Sequence, residues 1–137
     1  MKPRGTVLDL ACGGGRNGRW FLEAGHRVTF LDRDVSALTD LHNNPKATVL
    51  CSNLEKSAHF PIGGQRFDGV VVTNFLQRDI LGNICDAVTP GGLLLYETFG
   101  TGNETYGRPR NSKFLLKPGE LIKTVRANFD ILGFEHG

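Results

Sequence analysis

Two carboxylates bracket a glycine-rich turn near the start of the chain. Asp9 lies four residues before Gly13 and Asp32 nineteen residues after it. Between them runs Ala11-Cys12-Gly13-Gly14-Gly15-Arg16-Asn17-Gly18. Glycines at such a turn allow backbone to approach a ligand more closely than a residue with a Cβ permits. A helix opening directly after the turn points free N–H groups at the same spot. The chemistry is that of a nucleotide-type ligand held by main chain, with an acid at the next strand end to accept hydroxyl hydrogens.

Two ligands compete for that turn. Gly13-x-Gly15-x-x-Gly18 with Asp32 downstream matches the dinucleotide fingerprint, so an NAD-dependent oxidoreductase is one reading. Asp9 tilts the balance the other way. A carboxylate at the mouth of the turn repels a pyrophosphate and attracts a ligand carrying an ammonium and a sulfonium. Hydride transfer commonly uses a Tyr with a Lys four residues on, but Gly100 follows Tyr96 at that offset and Arg110 follows Tyr106.

The elements that must position these groups alternate. Thr6 to Ala11 is β-rich and apolar except for Asp9, as in a central parallel strand covered on both faces. Arg16 to Ala24 reads as a helix stopped by Gly25, and Arg27 to Asp32 as a second strand. A helix over Val35 to His42 follows, capped by Asp34 or Ser36, then a short strand from Ala47 to Cys51. Pro61 and Gly63-Gly64 mark the span from Lys56 to Gln65 as a loop or a short helical turn. Phe67 to Thr73 is a fourth strand, Asp79 to Val88 a helix ended by Pro90-Gly91-Gly92, and Leu93 to Thr98 a fifth strand. A long polar stretch, Gly100 to Lys117, precedes a helix from Pro118 to Asn128 and a sixth strand from Phe129 to Phe134. This alternation predicts one α/β domain over residues 1–137, a Rossmann-like, doubly wound, mostly parallel sheet in three α/β/α layers. Ligands bind such sheets beyond the carboxyl ends of the strands. Asp9 to Gly15, Asp32, Asn53, Asn74 and Glu97 to Phe99 fall at those ends.

The ordered set resembles the class I S-adenosylmethionine-dependent methyltransferases. Asp9 to Gly15 resembles that family's first motif, with Ala11 in place of its usual first glycine. Phe30-Leu31-Asp32-Arg33-Asp34 resembles the second motif, whose acid binds the ribose hydroxyls. Asn53-Leu54-Glu55 stands where the family places an adenine contact, Asn53 being a departure that can still hydrogen-bond an exocyclic amine. Pro90-Gly91-Gly92-Leu93-Leu94 looks like the turn into the family's fifth strand. Within the family, Gly13 to Asn17 and, in the tail, Tyr96 to Phe99, Gly102 to Glu104 and Tyr106 to Pro109 resemble small bacterial tellurite-resistance-like methyltransferases.

The resemblance implies S-adenosylmethionine as cofactor, bound by Asp9, Ala11, Gly13, Gly15, Asn17, Asp32, Arg33, Asn53, Leu54 and Asn74. It implies a small-molecule or inorganic methyl acceptor met by Glu97, Tyr106, Arg108 and Arg110, with Thr98 beside them. Methyl transfer from a sulfonium requires alignment and exclusion of water more than a strong base, so no catalytic residue is assigned. A non-catalytic S-adenosylmethionine-binding module or subunit is the alternative. Against the family pattern both ends look cut, and the seventh, antiparallel strand is missing. The expectation that follows is weak turnover and a homodimer through the exposed sheet edge.

Composition excludes several classes. A formal net charge of +2 does not argue for nucleic acid, and the arginines near the first two loops read as solvated surface charge. The three cysteines are far apart and odd in number, which indicates neither a disulfide framework nor a metal site, and they read as buried reduced thiols. No signal-peptide pattern follows Met1, and no apolar run is long enough to span a bilayer, so the reading is a cytoplasmic protein without a membrane partner. Trp20 reads as a core residue, and His26, His42 and His59 have no triad partners.

Overall fold

The computed structural model describes residues 5–54, 61–73 and 80–97. Their elements are β1 (Thr6–Leu10), α1 (Arg16–Glu23), β2 (Arg27–Asp32), a 3-10 helix (Ser36–Asn43), β3 (Ala47–Cys51), β4 (Phe67–Thr73), α2 (Leu81–Asp86) and β5 (Val88–Glu97). The strands form one sheet in the order β3-β2-β1-β4-β5, and every pairing is parallel. The chain walks outward from β1 to β3, then returns to start β4 on the other side of β1. That reversal puts a topological switch point at the carboxyl ends of β1 and β4, where open α/β sheets bind ligands.

The sheet separates two apolar layers, as period-two alternation requires. Leu8, Leu10, Leu31, Val70 and Val72 face α2, whose Leu81 and Ile84 join that layer. Val7, Val28, Phe30 and Val71 face the opposite side, packed by Phe21 and Leu22 of α1 and by Leu38 and Leu41 of the 3-10 helix. The α/β/α layering read from the sequence is therefore the observed one.

Helix α1 ends where Gly25 was expected to stop it. Gly25 takes a φ of +98°, its N–H bonds the Leu22 carbonyl at 3.1 Å, and the His26 N–H bonds the Phe21 carbonyl at 3.1 Å. These two bonds form a Schellman motif, and the Phe21 and His26 rings supply its apolar contact at 5.9 Å. This fixes the chain direction into β2.

Three expectations need correction. The segment after β2 is a 3-10 helix rather than an α-helix. Its apolar residues Val35, Leu38 and Leu41 recur every three positions, and a helix of three residues per turn aligns all of them on the core. Next, Val88 belongs to β5 and not to the preceding helix. Pro90-Gly91-Gly92 forms a bulge inside the strand, because Phe67 pairs with Val88 while Gly69 already pairs with Leu93. A Cβ on Gly92 would lie 2.7 Å from the Asp68 carbonyl oxygen, so the bulge needs a residue without one. Finally, Trp20 is 65% exposed on the outer face of α1 and is not core.

The expected helix from Pro118, the sixth strand and its edge, and the loop from Gly100 to Lys117 lie outside the described residues. Among the described residues no helix is long and apolar enough to cross a membrane.

Candidate active site

The glycine turn leaves β1 and is tied to both neighbouring structures by main-chain hydrogen bonds. The Cys12 N–H bonds the Leu31 carbonyl at 3.0 Å, which anchors the turn to the end of β2. The Gly15 N–H closes it on the Cys12 carbonyl at 2.9 Å. Gly15 then caps α1 with φ +79°, and its carbonyl accepts the Arg19 N–H at 2.8 Å.

Ala11 opens the turn at φ +54°, a left-handed conformation that costs an L-residue roughly 1–2 kcal/mol. This is the position where the methyltransferase pattern has its first glycine. Gly13 also has positive φ, and a Cβ built on it or on Gly14 would meet nothing within 4 Å. The outer side of the turn is open space beside backbone, the condition for close approach of a ligand.

Asp32 closes the crevice from the end of β2. Its Oδ2 accepts the Gly13 N–H at 2.8 Å and its Oδ1 accepts the Asp34 N–H at 3.0 Å. A carboxylate offers about four lone-pair positions, so two remain for further donors. The sequence places Asp32 as a ligand-binding acid; the structure adds that the same side chain holds the turn.

Asp9 is 1% exposed and faces α1. Its Oδ2 accepts the Gly18 N–H at 2.9 Å, whereas its Oδ1 is buried without a hydrogen-bond partner. Burial pushes its carboxyl up to about 6, the Gly18 N–H opposes that shift, and the charge on Asp32 adds to it. Both aspartates act on the Cys12 thiol, which burial first and these two charges next push up to about 12. Cys12 is thus a protonated packing group and no nucleophile at neutral pH.

The remaining expected site residues divide. Asn17 is half-buried in the first turn of α1, Arg33 is exposed directly after Asp32, and Asn53 is half-buried just past β3. Leu54 is buried in the apolar layer that faces α2. Glu97 stands exposed at the end of β5, in register with Thr73 of β4, on the same edge of the sheet as the turn. Asn74, Thr98, Tyr106, Arg108 and Arg110 lie outside the described residues. The cysteines are free, but Cys51 is exposed and Cys12 and Cys85 are only half-buried, against the expectation of three buried thiols.

Two contributors escape a reading by motif. Gly18 matches the third fingerprint glycine, yet its role is steric. A Cβ there would press into the Phe30 ring and stand 2.8 Å from Asp9 Oδ2. Arg19 reads from sequence as solvated charge, but its Nε donates to the Gly14 carbonyl at 2.9 Å and its Nη atoms form a two-pronged pair with Asp40 at 2.7 and 2.9 Å. No local spacing signals these bonds, whose partners lie 5 and 21 residues away.

Comparison with known proteins agrees with this geometry. The curated relatives include the ubiquinone biosynthesis O-methyltransferase of Vibrio cholerae, 26% identical over 145 aligned positions that cover 87% of this chain and 58% of the relative. The chain thus spans little more than half the length of those relatives. Among solved structures, TehB from Haemophilus influenzae superposes with a TM-score of 0.69 at 22% identity, covering 89% of this chain and 45% of that one. The Burkholderia thailandensis 1,6-didemethyltoxoflavin-N1-methyltransferase, solved with 1,6-didemethyltoxoflavin and S-adenosylhomocysteine, gives 0.66 at 23% identity, with 90% and 59% covered. These likenesses show the shared fold. The family model described as a methyltransferase domain matches residues 7–92, well over half of the 137, and includes both acids, the glycine turn and the bulge of β5. The chain belongs to the methyltransferase domain family, and its motifs resemble those of the class I S-adenosylmethionine-dependent members.

Proposed function

We propose that this chain binds S-adenosylmethionine in the crevice between the glycine turn and Asp32 and directs its methyl group to a small-molecule acceptor. The observation that carries this reading is the pair of carboxylates around the turn. Asp9 accepts the Gly18 N–H at one end of the turn and Asp32 accepts the Gly13 N–H within it, so two carboxylates flank the turn. A cation is favoured there, and the pyrophosphate of a dinucleotide is not. The open backbone at Gly13 and Gly14 fits the methionine end, and the free lone pairs of Asp32 fit the ribose hydroxyls.

When bound, S-adenosylmethionine supplies a methyl already activated on sulfur. The chain's own task is to orient and to exclude water. Asp32 sets the ribose against the turn. Asp9 supplies field from beneath, since its buried oxygens do not reach the surface directly. Glu97, with Tyr106, Arg108 and Arg110 from the following segment, is the proposed acceptor side.

Calorimetric titration with S-adenosylmethionine, S-adenosylhomocysteine and NAD tests the cofactor, and a methyl-transfer assay over small thiols, phenols and oxyanions tests the reaction. Binding of the first two with turnover is the expected outcome. Binding without turnover on any acceptor would make the chain a cofactor-binding module, and NAD binding without S-adenosylhomocysteine binding would overturn the assignment.

A further inference from the structure

Arg19 links the glycine turn to the 3-10 helix, beside the bonds that tie the turn to the end of β2. Gly14 belongs to the turn after β1, while Ala37 and Asp40 belong to the 3-10 helix that follows Asp32. One guanidinium reaches both: Nε to the Gly14 carbonyl at 2.9 Å, Nη1 and Nη2 to the Asp40 carboxylate at 2.7 and 2.9 Å, and Nη2 to the Ala37 carbonyl at 3.1 Å.

We infer that Arg19 is a positioning residue, which sets the spacing between the glycine turn and the 3-10 helix that follows Asp32 and thereby tunes affinity for the adenosyl ligand. This rests on the cofactor reading above. A planar, forked guanidinium serves a carbonyl on one edge and a carboxylate on another, whereas an ammonium is a single point donor. The Arg19 and Asp40 side chains are 31% and 63% exposed, and ion pairs so open to solvent add little to global stability. What the clamp controls is local: with the Gly14 carbonyl held towards the 3-10 helix, the turn presents Gly13 to the crevice in one arrangement.

The test compares the full-length chain with Arg19→Lys, Asp40→Asn and the double variant. Three quantities are read: the melting temperature, amide hydrogen exchange at Gly15 and Leu8, and the dissociation constant for S-adenosylhomocysteine. In Arg19→Lys, exchange at Gly15 should rise roughly tenfold while Leu8 in β1 is unchanged, and the dissociation constant should rise about five- to tenfold. The double variant should bind no more weakly than Arg19→Lys alone, because both changes remove the same clamp. A merely structural ion pair would lower the melting temperature and leave Gly15 and Leu8 moving together. Unchanged Gly15 exchange, or unchanged affinity in a chain whose parent binds, overturns the inference alone. A parent that binds no S-adenosylhomocysteine overturns the functional reading and the affinity claim together.

Discussion

The Asp9 carboxylate accepts the Gly18 N–H at 2.9 Å through Oδ2 and leaves its buried Oδ1 without a partner. This pair couples the end of β1 to the first turn of α1, directly beneath the glycine turn. A half-satisfied buried carboxylate is costly to keep charged.

The first prediction follows from the sign of that cost. Asp9 has its carboxyl raised from 3.8 to about 6 by burial. Protons then bind the folded state more tightly, so its contribution makes the protein less stable as pH rises from about 4 to about 6, with the full penalty present above that window. A shift of this size corresponds to about 3 kcal/mol. Asp9→Asn should therefore melt higher than the parent near about pH 8, and the difference should shrink towards about pH 4. The same variant should bind S-adenosylmethionine more weakly at neutral pH. Thermal melts across that range, paired with calorimetry, check both; a variant that melts lower at every pH would refute the account of Asp9.

Gly18→Ala tests the steric side of the same contact. The added Cβ presses into Phe30 and crowds Asp9 Oδ2, so overpacking and a strained hydrogen bond should destabilise by about 1–3 kcal/mol. Chemical denaturation measures it, and a neutral effect would mean that Phe30 can move aside.

Ala11→Gly should act in the opposite direction. Relief of the left-handed strain at φ +54° is offset in part by the greater freedom of glycine in the unfolded chain, leaving a net gain of up to about 1 kcal/mol. For a chain of this size that is roughly 3–5 °C in melting temperature. A lower melting temperature would show that Ala11 is not strained.

Asp32→Ala should weaken S-adenosylhomocysteine at least about tenfold, the loss of one charge-assisted hydrogen bond. Because Asp32 also accepts the Gly13 N–H, Asp32→Asn, which keeps an acceptor for that bond, should fall between the parent and Asp32→Ala. An unchanged dissociation constant in Asp32→Ala would remove it from the cofactor site.

Much of this site was legible in the sequence because it is made of backbone. A glycine turn between an apolar strand and a helix, with an acid at each flanking strand, has few ways to fold, and the starts of β1 and α1 and both bounds of β2, β3 and β4 follow from local pattern, while β1 and α1 each end one residue earlier than read. What escaped depends on contacts across elements. The threefold spacing of Val35, Leu38 and Leu41 selects a 3-10 helix only because a sheet face lies beneath it. The exposure of Trp20 follows from which face of α1 the Phe30 layer claims.

The sequence by itself determined the parallel α/β architecture, the family and the identity of the two acids, since periodicity, glycine and charge are written in residue order. Only the tertiary structure decided what those acids do to one another and to the loop. It turned Asp9 into a buried group bound to Gly18, gave Asp32 the Gly13 N–H to hold, and brought Arg19 to Asp40 across 21 residues. The reason is physical: hydrogen-bond partners and local dielectric are set by packing between elements, and no spacing along one strand or helix encodes them.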